Sequence, residues 1–196
     1  MSATDAATPV RCWSSSDEGY LRYHDEEWGR PVRDERGVYE RLCLEGFQSG
    51  LSWLTILRKR PAFRKAFAGF EPDRVARFGD RDVDRLLADA GIVRHRGKIE
   101  ATIANARATV ALRDGGEPLH ELFWSHAPAA HAAPALPADW AATTPESSAL
   151  AKQLRIAGFR FVGPTTIYAA MQACGVVNDH LAACWVRADV ERERSR

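Results

Sequence analysis

Apolar side chains recur along the chain at intervals of three and four residues, the spacing that places them on one face of an α-helix. No stretch alternates between apolar and polar residues with the period of two that a half-buried strand requires. The pattern therefore predicts an all-α protein. The predicted helices cover residues 34–44, 50–57, 62–68, 72–77, 81–90, 98–112, 118–124, 145–157 and 164–173.

Three parts of the chain lack this spacing. Residues 125–144 are rich in Ala, Pro and His, which predicts a surface connection with His126 and His131 in solvent. Residues 188–196 are highly charged, and residues 1–10 show no apolar period. We therefore expect flexible tails at both ends of one domain that spans residues 11–187.

The amino-acid composition limits the classes of protein to which the chain can belong. Of the 196 residues, 45% are hydrophobic, enough for a buried core. The formal net charge is +1, so affinity for nucleic acid must come from local patches such as the basic run at residues 58–65. The sequence shows neither a secretory signal nor an apolar run long enough to cross a bilayer, so we expect a soluble, cytoplasmic protein without a membrane partner.

The segment LCLEGFQSGLSW, residues 42–53, brings three features together. Glu45 is a carboxylate among apolar residues, where an ionised group is costly unless it has a partner. Gly50 places a flexible position beside the bulky Leu51, and the basic run follows. One interpretation is a surface Glu at a helix C-terminus that Gly46 caps. The other is a functional carboxylate next to a wedge and a phosphate-binding strip.

Two breaks between predicted helices share a pattern in which one glycine ends a helix and a second opens the next. The glycine pairs are Gly91 with Gly97 and Gly158 with Gly163. The second break has the helix-hairpin-helix pattern Gly-apolar-x-x-apolar-Gly, which exposes backbone N–H groups to phosphate at a helix N-terminus. An ordinary corner between helices is the alternative at both breaks.

Cys12, His24, His180 and Cys184 form a potential set of metal ligands. His180 and Cys184 are four residues apart and would share one face of a helix, whereas Cys12 and His24 lie near the other end of the chain. Four protein ligands around a tetrahedral zinc leave no position for water, so this metal would be structural. The spacing of Cys12 and His24 is not that of a zinc finger, and buried Cys and His side chains without a metal are the alternative.

Aromatic residues surround the first two of these positions: Trp13, Tyr20, Tyr23 and Trp28. They form either the hydrophobic cover of a small lobe or a stacking site for a flat ligand. If the metal held this segment against Glu45, aromatic rings could sandwich a flat cationic ligand that the carboxylate fixes in place.

Five stretches resemble the DNA-3-methyladenine glycosylase I family of the helix-hairpin-helix glycosylase superfamily: RCWSSSDEGYLRYHDEEWG, LCLEGFQSGLSWLTILRKR, DAGIVRHRGKIEATIANA, GFRFVGPTTIYAAMQACG and VVNDH. The likeness runs from about Arg11 to Cys184. It implies an all-helical, two-lobed fold with a base pocket between the lobes and a zinc-clamped terminal segment, in which Cys12, His24, His180 and Cys184 bind a structural Zn²⁺. The implied activity is that of a monomeric, monofunctional N-glycosylase that flips N3-methyladenine out of alkylated double-stranded DNA and hydrolyses its N-glycosidic bond.

The resemblance also implies roles for individual residues. Glu45 contacts the flipped base, and Tyr20, Tyr23, Trp28 and Trp53 line or support the pocket. The predicted DNA contacts lie in the wedge and at the helix ends beside the glycines. They are Gln48, Gly50, Leu51, Gly97, Lys98, Gly158, Gly163 and Thr165.

The chain departs from the superfamily at its usual catalytic Asp, which aligns with Asn178, although a shift of one residue would align it with Asp179. Phe47 also stands where we expect a polar residue. Methylation at N3 makes adenine cationic, so the base leaves as a neutral molecule and needs neither a strong acid nor a covalent nucleophile. A zinc-clamped module that binds DNA or protein without catalysis is the alternative, and a zinc hydrolase is disfavoured because all four metal ligands would come from the protein.

Overall fold

A computed structural model of the chain describes residues 9–195, so most of the predicted N-terminal tail lies outside the described residues. Within that range the chain forms helices and no strand, which confirms the all-α prediction. None of these helices combines the length and the apolar character needed to cross a membrane. The helices are α1 (Glu18–Glu26), α2 (Glu35–Gln48), α3 (Trp53–Ala66), α4 (Pro72–Val75), α5 (Asp80–Ala88), α6 (Arg96–Asp114), α7 (Leu119–Ser125), α8 (Pro145–Ile156), α9 (Pro164–Ala173) and α10 (Arg187–Arg194).

Helices α2 and α3 are longer than the sequence pattern predicts. The side chain of Asp34 accepts a hydrogen bond from the Gly37 N–H and caps α2, which continues through Glu45 to Gln48. Helix α3 runs without a break through Pro61, which we expected in a gap between two helices. Buried side chains before and after this proline, such as Ile56 and Phe63, anchor both halves of α3 on the core and offset the missing backbone hydrogen bond.

Two helices that the apolar spacing did not predict lie near the chain ends. Helix α1 begins after Asp17, whose carboxylate accepts the Tyr20 N–H over 2.9 Å. Helix α10 covers most of the segment that we predicted to be a flexible C-terminal tail. Its Val190 is fully buried, and its Arg194 donates to backbone carbonyls beyond α9. A single buried residue on a charged helix leaves no apolar period to detect.

Helix α2 lies at the centre of the array and contacts α3, α6, α7 and α9. Its Phe47 is buried against Phe63 and Phe67, with ring centroids 4.6 and 5.9 Å away. The apolar residue at position 47 is therefore part of the core. A second, smaller hydrophobic cluster joins the two ends of the chain and contains Cys12, Leu181, Cys184, Val186 and Val190.

Candidate active site and metal centre

A cavity of about 260 Å³ lies beside Glu45. Typical small-molecule pockets begin at about 300 Å³, so this cavity suits a small, flat ligand. Side chains from α1 and the segments on either side of it, from α2, α3 and α9, and from the connection before α8 form its walls. The lining residues are Trp13, Tyr20, Tyr23, Trp28, Glu45, Gln48, Trp53, Trp140, Ala169 and Gln172.

The Glu45 side chain is 6% exposed and projects from the interior of α2. The interpretation as a surface residue at a capped helix end is therefore wrong, because α2 continues past Gly46. Burial raises the pKa of Glu45 to about 8, and no hydrogen bond from residues 9–195 counteracts this effect. A buried carboxylate that lines a cavity without a partner of its own is poised to receive a donor or a cation from a ligand.

Aromatic rings line the space next to this carboxylate. Tyr23 and Trp53 have ring centroids 5.3 Å apart, and Trp13 stacks on Tyr20 at 5.1 Å and contacts Trp28 edge-on. Burial and the nearby negative charge of Glu45 raise the pKa of both tyrosines. Their hydroxyl groups therefore remain protonated and can donate hydrogen bonds. The aromatic residues singled out in the sequence thus meet around one cavity.

Sequence analysis did not find the cavity residue Trp140, which belongs to the connection that we expected to be a plain surface segment. Its ring lies 6.5 Å from that of Trp13 and 6.0 Å from that of Trp28. Its indole N–H donates to the backbone carbonyl of Asp179 over 2.9 Å. The only signal available was a lone tryptophan in a run of Ala and Pro, because a large aromatic side chain usually finds a buried contact.

Asp179 is buried but does not line the cavity. Its carboxylate accepts hydrogen bonds from the Tyr168 hydroxyl over 2.7 Å, from Nε2 of Gln172 over 2.6 Å and from His131. Burial acts to raise the pKa of Asp179, but these hydrogen bonds outweigh it and keep the pKa below the usual value. His131 is therefore the partner of a buried carboxylate, and our prediction that it is solvated is wrong.

Asn178 is fully buried and faces α10 instead of the cavity. Its amide donates to Glu191 over 2.9 Å and to the backbone carbonyl of Arg187 over 3.2 Å. Its Oδ1 accepts the His180 N–H. Asn178 thus orders the segment around the C-terminal metal-ligand candidates and lies outside the cavity wall.

The turn after α2 carries the predicted wedge. The Leu51 N–H donates to the Gln48 carbonyl over 2.6 Å, Gly50 has a left-handed φ of +83°, and Leu51 is 42% exposed. Lys98, which we predicted at the DNA interface, is 8% exposed. Its ammonium group donates to the carbonyls of Phe47 and Ser49 over 2.9 and 2.6 Å. Lys98 therefore holds the end of α2 and the wedge turn, and its charge is not directed towards a phosphate.

The turn between α8 and α9 has the geometry of the predicted hairpin. Gly158 adopts a left-handed φ of +96°, and the buried Asn105 clamps the turn by exchanging two hydrogen bonds with the backbone of Arg160. Gly163 precedes α9, and a Cβ added there would meet nothing within 4 Å. Thr165 is exposed in the first turn of α9. The N-terminus of α9 is therefore open to a partner.

The first glycine break lies close to this hairpin. His95 caps α6 by accepting the Lys98 N–H over 3.2 Å, and Gly97 lies in the first turn of that helix. A Cβ added at Gly97 would lie 3.7 Å from the Phe161 ring of the hairpin turn. The two glycine turns thus form one continuous surface.

Most basic side chains of residues 58–65 have partners inside the protein. Three arginines form ion pairs with acidic side chains: Arg58 with Asp17, Arg60 with Glu27 and Arg64 with Glu40. Lys59 donates hydrogen bonds to the backbone carbonyls of Ala90 and Gly91. The run therefore carries less free positive charge than the sequence suggests. It is a weaker candidate for a phosphate-binding strip than the two glycine turns.

The four candidate metal ligands meet where the chain ends join. Their ligand atoms all lie within 4.8 Å of one another, and all four residues are buried. Nδ1 of His180 lies 3.4 Å from Sγ of both cysteines, and Nε2 of His24 lies 3.6 Å from Sγ of Cys184. Zinc bonds of about 2.0–2.3 Å at tetrahedral angles place S and N ligands about 3.5 Å apart. The donor set and its spacing therefore fit zinc.

The surroundings of these ligands also suit a metal. The second ring nitrogen of His24 is 2.8 Å from the Asp25 carboxylate, and that of His180 is 2.9 Å from the Trp28 carbonyl. Such outer hydrogen bonds fix the ring orientation of ligand histidines. A hydrogen bond between the thiols of Cys12 and Cys184 lowers the pKa of Cys184 and raises that of Cys12. Without a metal, the two cysteines therefore favour one thiolate and one thiol. A divalent cation would stabilise both as thiolates.

Fold and cavity together define an all-helical protein with an aromatic-lined site for a flat ligand. A model of the methyladenine glycosylase family matches residues 13–188. The DNA-3-methyladenine glycosylase 1 of Escherichia coli (strain K12) is 48% identical over 178 residues, which cover 89% of this chain and 95% of that protein. The chain therefore belongs to the methyladenine glycosylase family, as its resemblance indicated.

Solved structures agree in fold. A crystal structure of 3-methyladenine DNA glycosylase I is 47% identical and superposes with a TM-score of 0.87, covering 90% of this chain and 98% of that one. A Tyr-to-Phe variant of such a glycosylase, crystallised in complex with 3-methyladenine, is 33% identical with a TM-score of 0.84, covering 88% and 94% of the two chains. The all-helical arrangement is thus that of a glycosylase.

Proposed function

We propose that this protein is a DNA-3-methyladenine glycosylase that excises N3-methyladenine from alkylated DNA by hydrolysing the N-glycosidic bond, in base excision repair. The family membership and the names of the relatives support this activity. The observation in the site that carries the proposal is the buried carboxylate of Glu45, which faces an aromatic cavity without a partner of its own.

The cavity suits a cationic purine for two physical reasons. A ring that carries positive charge gains about 0.5–2 kcal/mol from each aromatic face it contacts. A carboxylate in a site that excludes water attracts the same charge more strongly than it would in solvent. Both interactions favour N3-methyladenine over unmodified adenine, which is neutral. Tyr20, Tyr23, Trp28 and Trp53 supply the aromatic walls of the proposed base pocket.

Catalysis in this proposal depends mainly on recognition. The methylated base already carries the positive charge that an acid would otherwise supply, so it departs as a neutral molecule. Neither Asn178 nor Asp179 lines the cavity, in agreement with a mechanism without the superfamily's Asp. Water then completes hydrolysis at the sugar.

DNA contacts in this proposal come from the wedge turn and the two glycine turns. Leu51 fills the space that the flipped nucleotide leaves, with Gln48 and Gly50 shaping its turn. Backbone N–H groups at the N-termini of α6 and α9, beside Gly97, Gly163 and Thr165, bind phosphates without reading sequence. The open space around Gly163 supports this role.

The activity is tested by incubating the protein with duplex DNA that has been treated with a methylating agent and identifying the released bases by chromatography. We expect release of 3-methyladenine, with unmodified bases retained. A protein that binds this DNA but releases no base would be the non-catalytic binding module. Release of 7-methylguanine in preference to 3-methyladenine would also contradict the proposal.

We further propose that Cys12, His24, His180 and Cys184 bind one structural Zn²⁺. The four buried donors and their separations of 3.4–3.6 Å support this assignment. All four positions of a tetrahedral ion are taken by protein atoms, so the metal would not activate water. When bound, it would join the N-terminal segment to the start of α10.

A further inference from the structure

One polar side chain in the cavity wall is oriented by a hydrogen bond to a buried residue outside the cavity. Gln172 of α9 lines the cavity, and its Nε2 donates to Oδ2 of Asp179 over 2.6 Å. The amide of Gln172 thus turns its NH₂ group, which only donates hydrogen bonds, towards Asp179. The carbonyl oxygen Oε1 of Gln172 is then left on the other side, where it receives no hydrogen bond from residues 9–195.

The group that fixes this amide is itself firmly held. Asp179 is 3% exposed, and Tyr168 and His131 also donate to its carboxylate. Rotation of the Gln172 amide by half a turn would bring its carbonyl oxygen against a carboxylate oxygen. The backbone carbonyl of Asp179 also holds the indole of Trp140, a second cavity wall. Asp179 is therefore a positioning residue for two sides of the cavity.

Unpartnered side-chain acceptors of the cavity wall therefore lie on different helices. Glu45 on α2 presents a carboxylate, and Gln172 on α9 presents a carbonyl oxygen. A ligand must offer N–H groups to satisfy both, since an acceptor left unpaired in a buried site costs binding energy. Adenine meets this need because it carries an amino group on C6, where guanine carries a carbonyl.

We propose that Gln172 is a specificity-determining residue whose Oε1 accepts a hydrogen bond from the exocyclic amino group of the flipped base, selecting 3-methyladenine over 3-methylguanine. This inference rests on the proposed function. Guanine would place its C6 carbonyl oxygen against Oε1, and its own amino group is on C2, on the other side of N1. Sites built to hydrogen-bond an N–H group reject analogues that lack it more strongly than apolar pockets reject a change of size.

The experiment compares wild type with Gln172→Leu on methylated duplex DNA and measures kcat/KM for 3-methyladenine and 3-methylguanine separately. Leucine keeps much of the volume and removes the acceptor. We expect excision of 3-methyladenine to fall about ten- to a hundredfold, the cost of an unpaired buried hydrogen-bonding group, while excision of 3-methylguanine stays equal or rises. Gln153→Leu, a change on α8 outside the cavity wall, is the control and should leave both values unchanged.

A second variant tests the orientation itself. Asp179→Asn can donate to the Gln172 carbonyl, which lets the amide turn its NH₂ group towards the cavity. Discrimination between the two bases should then decrease, with zinc content measured to show that the adjacent His180 is undisturbed.

The outcomes are distinguishable. An unchanged ratio of kcat/KM for 3-methyladenine to kcat/KM for 3-methylguanine in Gln172→Leu would overturn the inference while leaving the proposed function intact. A wild-type protein that releases neither base would contradict the proposed function and this inference together.

Discussion

Glu45 is the residue on which the proposed mechanism depends most, since it is the buried carboxylate in the cavity wall. Glu45→Gln keeps the shape of the side chain and removes its charge. We expect excision of 3-methyladenine to fall by roughly ten- to a thousandfold, as for loss of one charge-assisted contact at a reacting centre. Binding to undamaged duplex should barely change. Excision at the wild-type rate would remove Glu45 from the mechanism.

The pH dependence of this reaction follows from the same residue. Glu45 has a pKa of about 8 in the free protein, so its attractive, ionised form becomes dominant only above that pH. We expect wild-type kcat/KM to rise with pH and level off above about pH 8. The residual activity of Glu45→Gln should lack this rise. A wild-type profile that is flat between pH 5 and 9 would contradict an essential carboxylate with a raised pKa.

Glu45 should also lower the stability of the fold at alkaline pH. Its folded-state pKa of about 8 exceeds the unfolded value of about 4.3. The folded protein therefore holds the proton more tightly, and stability is lost as the pH rises from the unfolded to the folded pKa. Glu45→Gln removes this penalty, so we expect its unfolding free energy to exceed that of wild type by a few kcal/mol at pH 8.5 and to match it near pH 4.

Urea unfolding at both pH values measures this difference. Glu26→Gln, an exposed change on α1, is the matched control and should leave stability unchanged at either pH. A Glu45→Gln variant that is less stable than wild type at pH 8.5 would show that the carboxylate has a stabilising partner.

The residue types in a sequence predict the chemistry of a side chain more readily than the direction in which it points. The segment around Glu45 predicted a functional carboxylate because a charged group stood among apolar neighbours. Lys98 shows the converse, since its charge suggested a phosphate but its stem lies buried and its ammonium group reaches two carbonyls of the α2 terminus. Gln172 gave no signal, because its orientation depends on Asp179 across a helix turn and a loop. Such orientation is set by tertiary contacts that the sequence does not display.

At the scale of elements, the α8–α9 hairpin offers a test that separates binding from stability. Gly163 has a φ of −68°, which any residue adopts, and the space around its Cβ position is open. Gly163→Ala should therefore leave thermal unfolding unchanged. If a phosphate approaches the N-terminus of α9 there, the added methyl group should weaken binding to duplex DNA about tenfold, whatever the sequence.

A matched control exists on another helix. Gly79 precedes α5 with similar open space around its Cβ position, so Gly79→Ala should change neither stability nor DNA affinity. The salt dependence of binding, measured by fluorescence anisotropy, should become shallower only in Gly163→Ala. Affinity changes confined to particular base sequences would exclude a phosphate contact.

The elements themselves were predictable wherever an apolar stripe repeats over two turns or more, as in α6 and α8. Prediction failed where tertiary packing decides. Pro61 suggested a break, but buried residues on both sides keep α3 continuous. Helix α10 has one buried apolar residue, and its order comes from hydrogen bonds with distant backbone carbonyls. The connection before α8 has no period, yet it carries Trp140 into the cavity.

At the scale of the whole molecule, the positions of its lysines bear on the product. A lyase needs a lysine near the sugar to form a Schiff base. The chain has four lysines, none of which lines the cavity. Burial lowers the pKa of Lys98, but its amine is held by two carbonyls. We therefore expect an intact abasic site, seen as DNA that breaks only after alkali. Trapping of a covalent complex with borohydride would contradict this expectation.

The ends of the chain meet at the proposed zinc site, which makes the metal a constraint on the whole fold. The residue types and the family resemblance predicted the four proposed ligands from the sequence. The partners of the two histidine rings, Asp25 and the Trp28 carbonyl, could not be predicted, since nothing in the sequence shows which nitrogen of each ring faces the thiols. Trp13 and Trp28 pack against both the metal-ligand cluster and the cavity, so the proposed metal also supports the aromatic walls.

Loss of one ligand should therefore affect metal content, stability and the pocket together. We expect wild type to hold one zinc per chain by atomic spectroscopy and Cys184→Ser to hold much less. Without the ion, the N-terminal segment loses its attachment to the start of α10. A loss of several kcal/mol should lower Tm by about 10 °C, because 1 kcal/mol corresponds to about 2–4 °C in a chain of this size.

The control is Cys43→Ser, a buried cysteine of α2 outside the ligand cluster, which should keep its zinc whatever happens to its stability. Because the four protein ligands close the coordination sphere, brief exposure to a chelator that leaves the zinc bound should not change the rate of base release. Zinc-free protein with the Tm of the wild type would show that thiol and imidazole packing alone joins the two ends. A rate that falls at once on chelation, before any zinc is lost, would instead place the metal in the reaction.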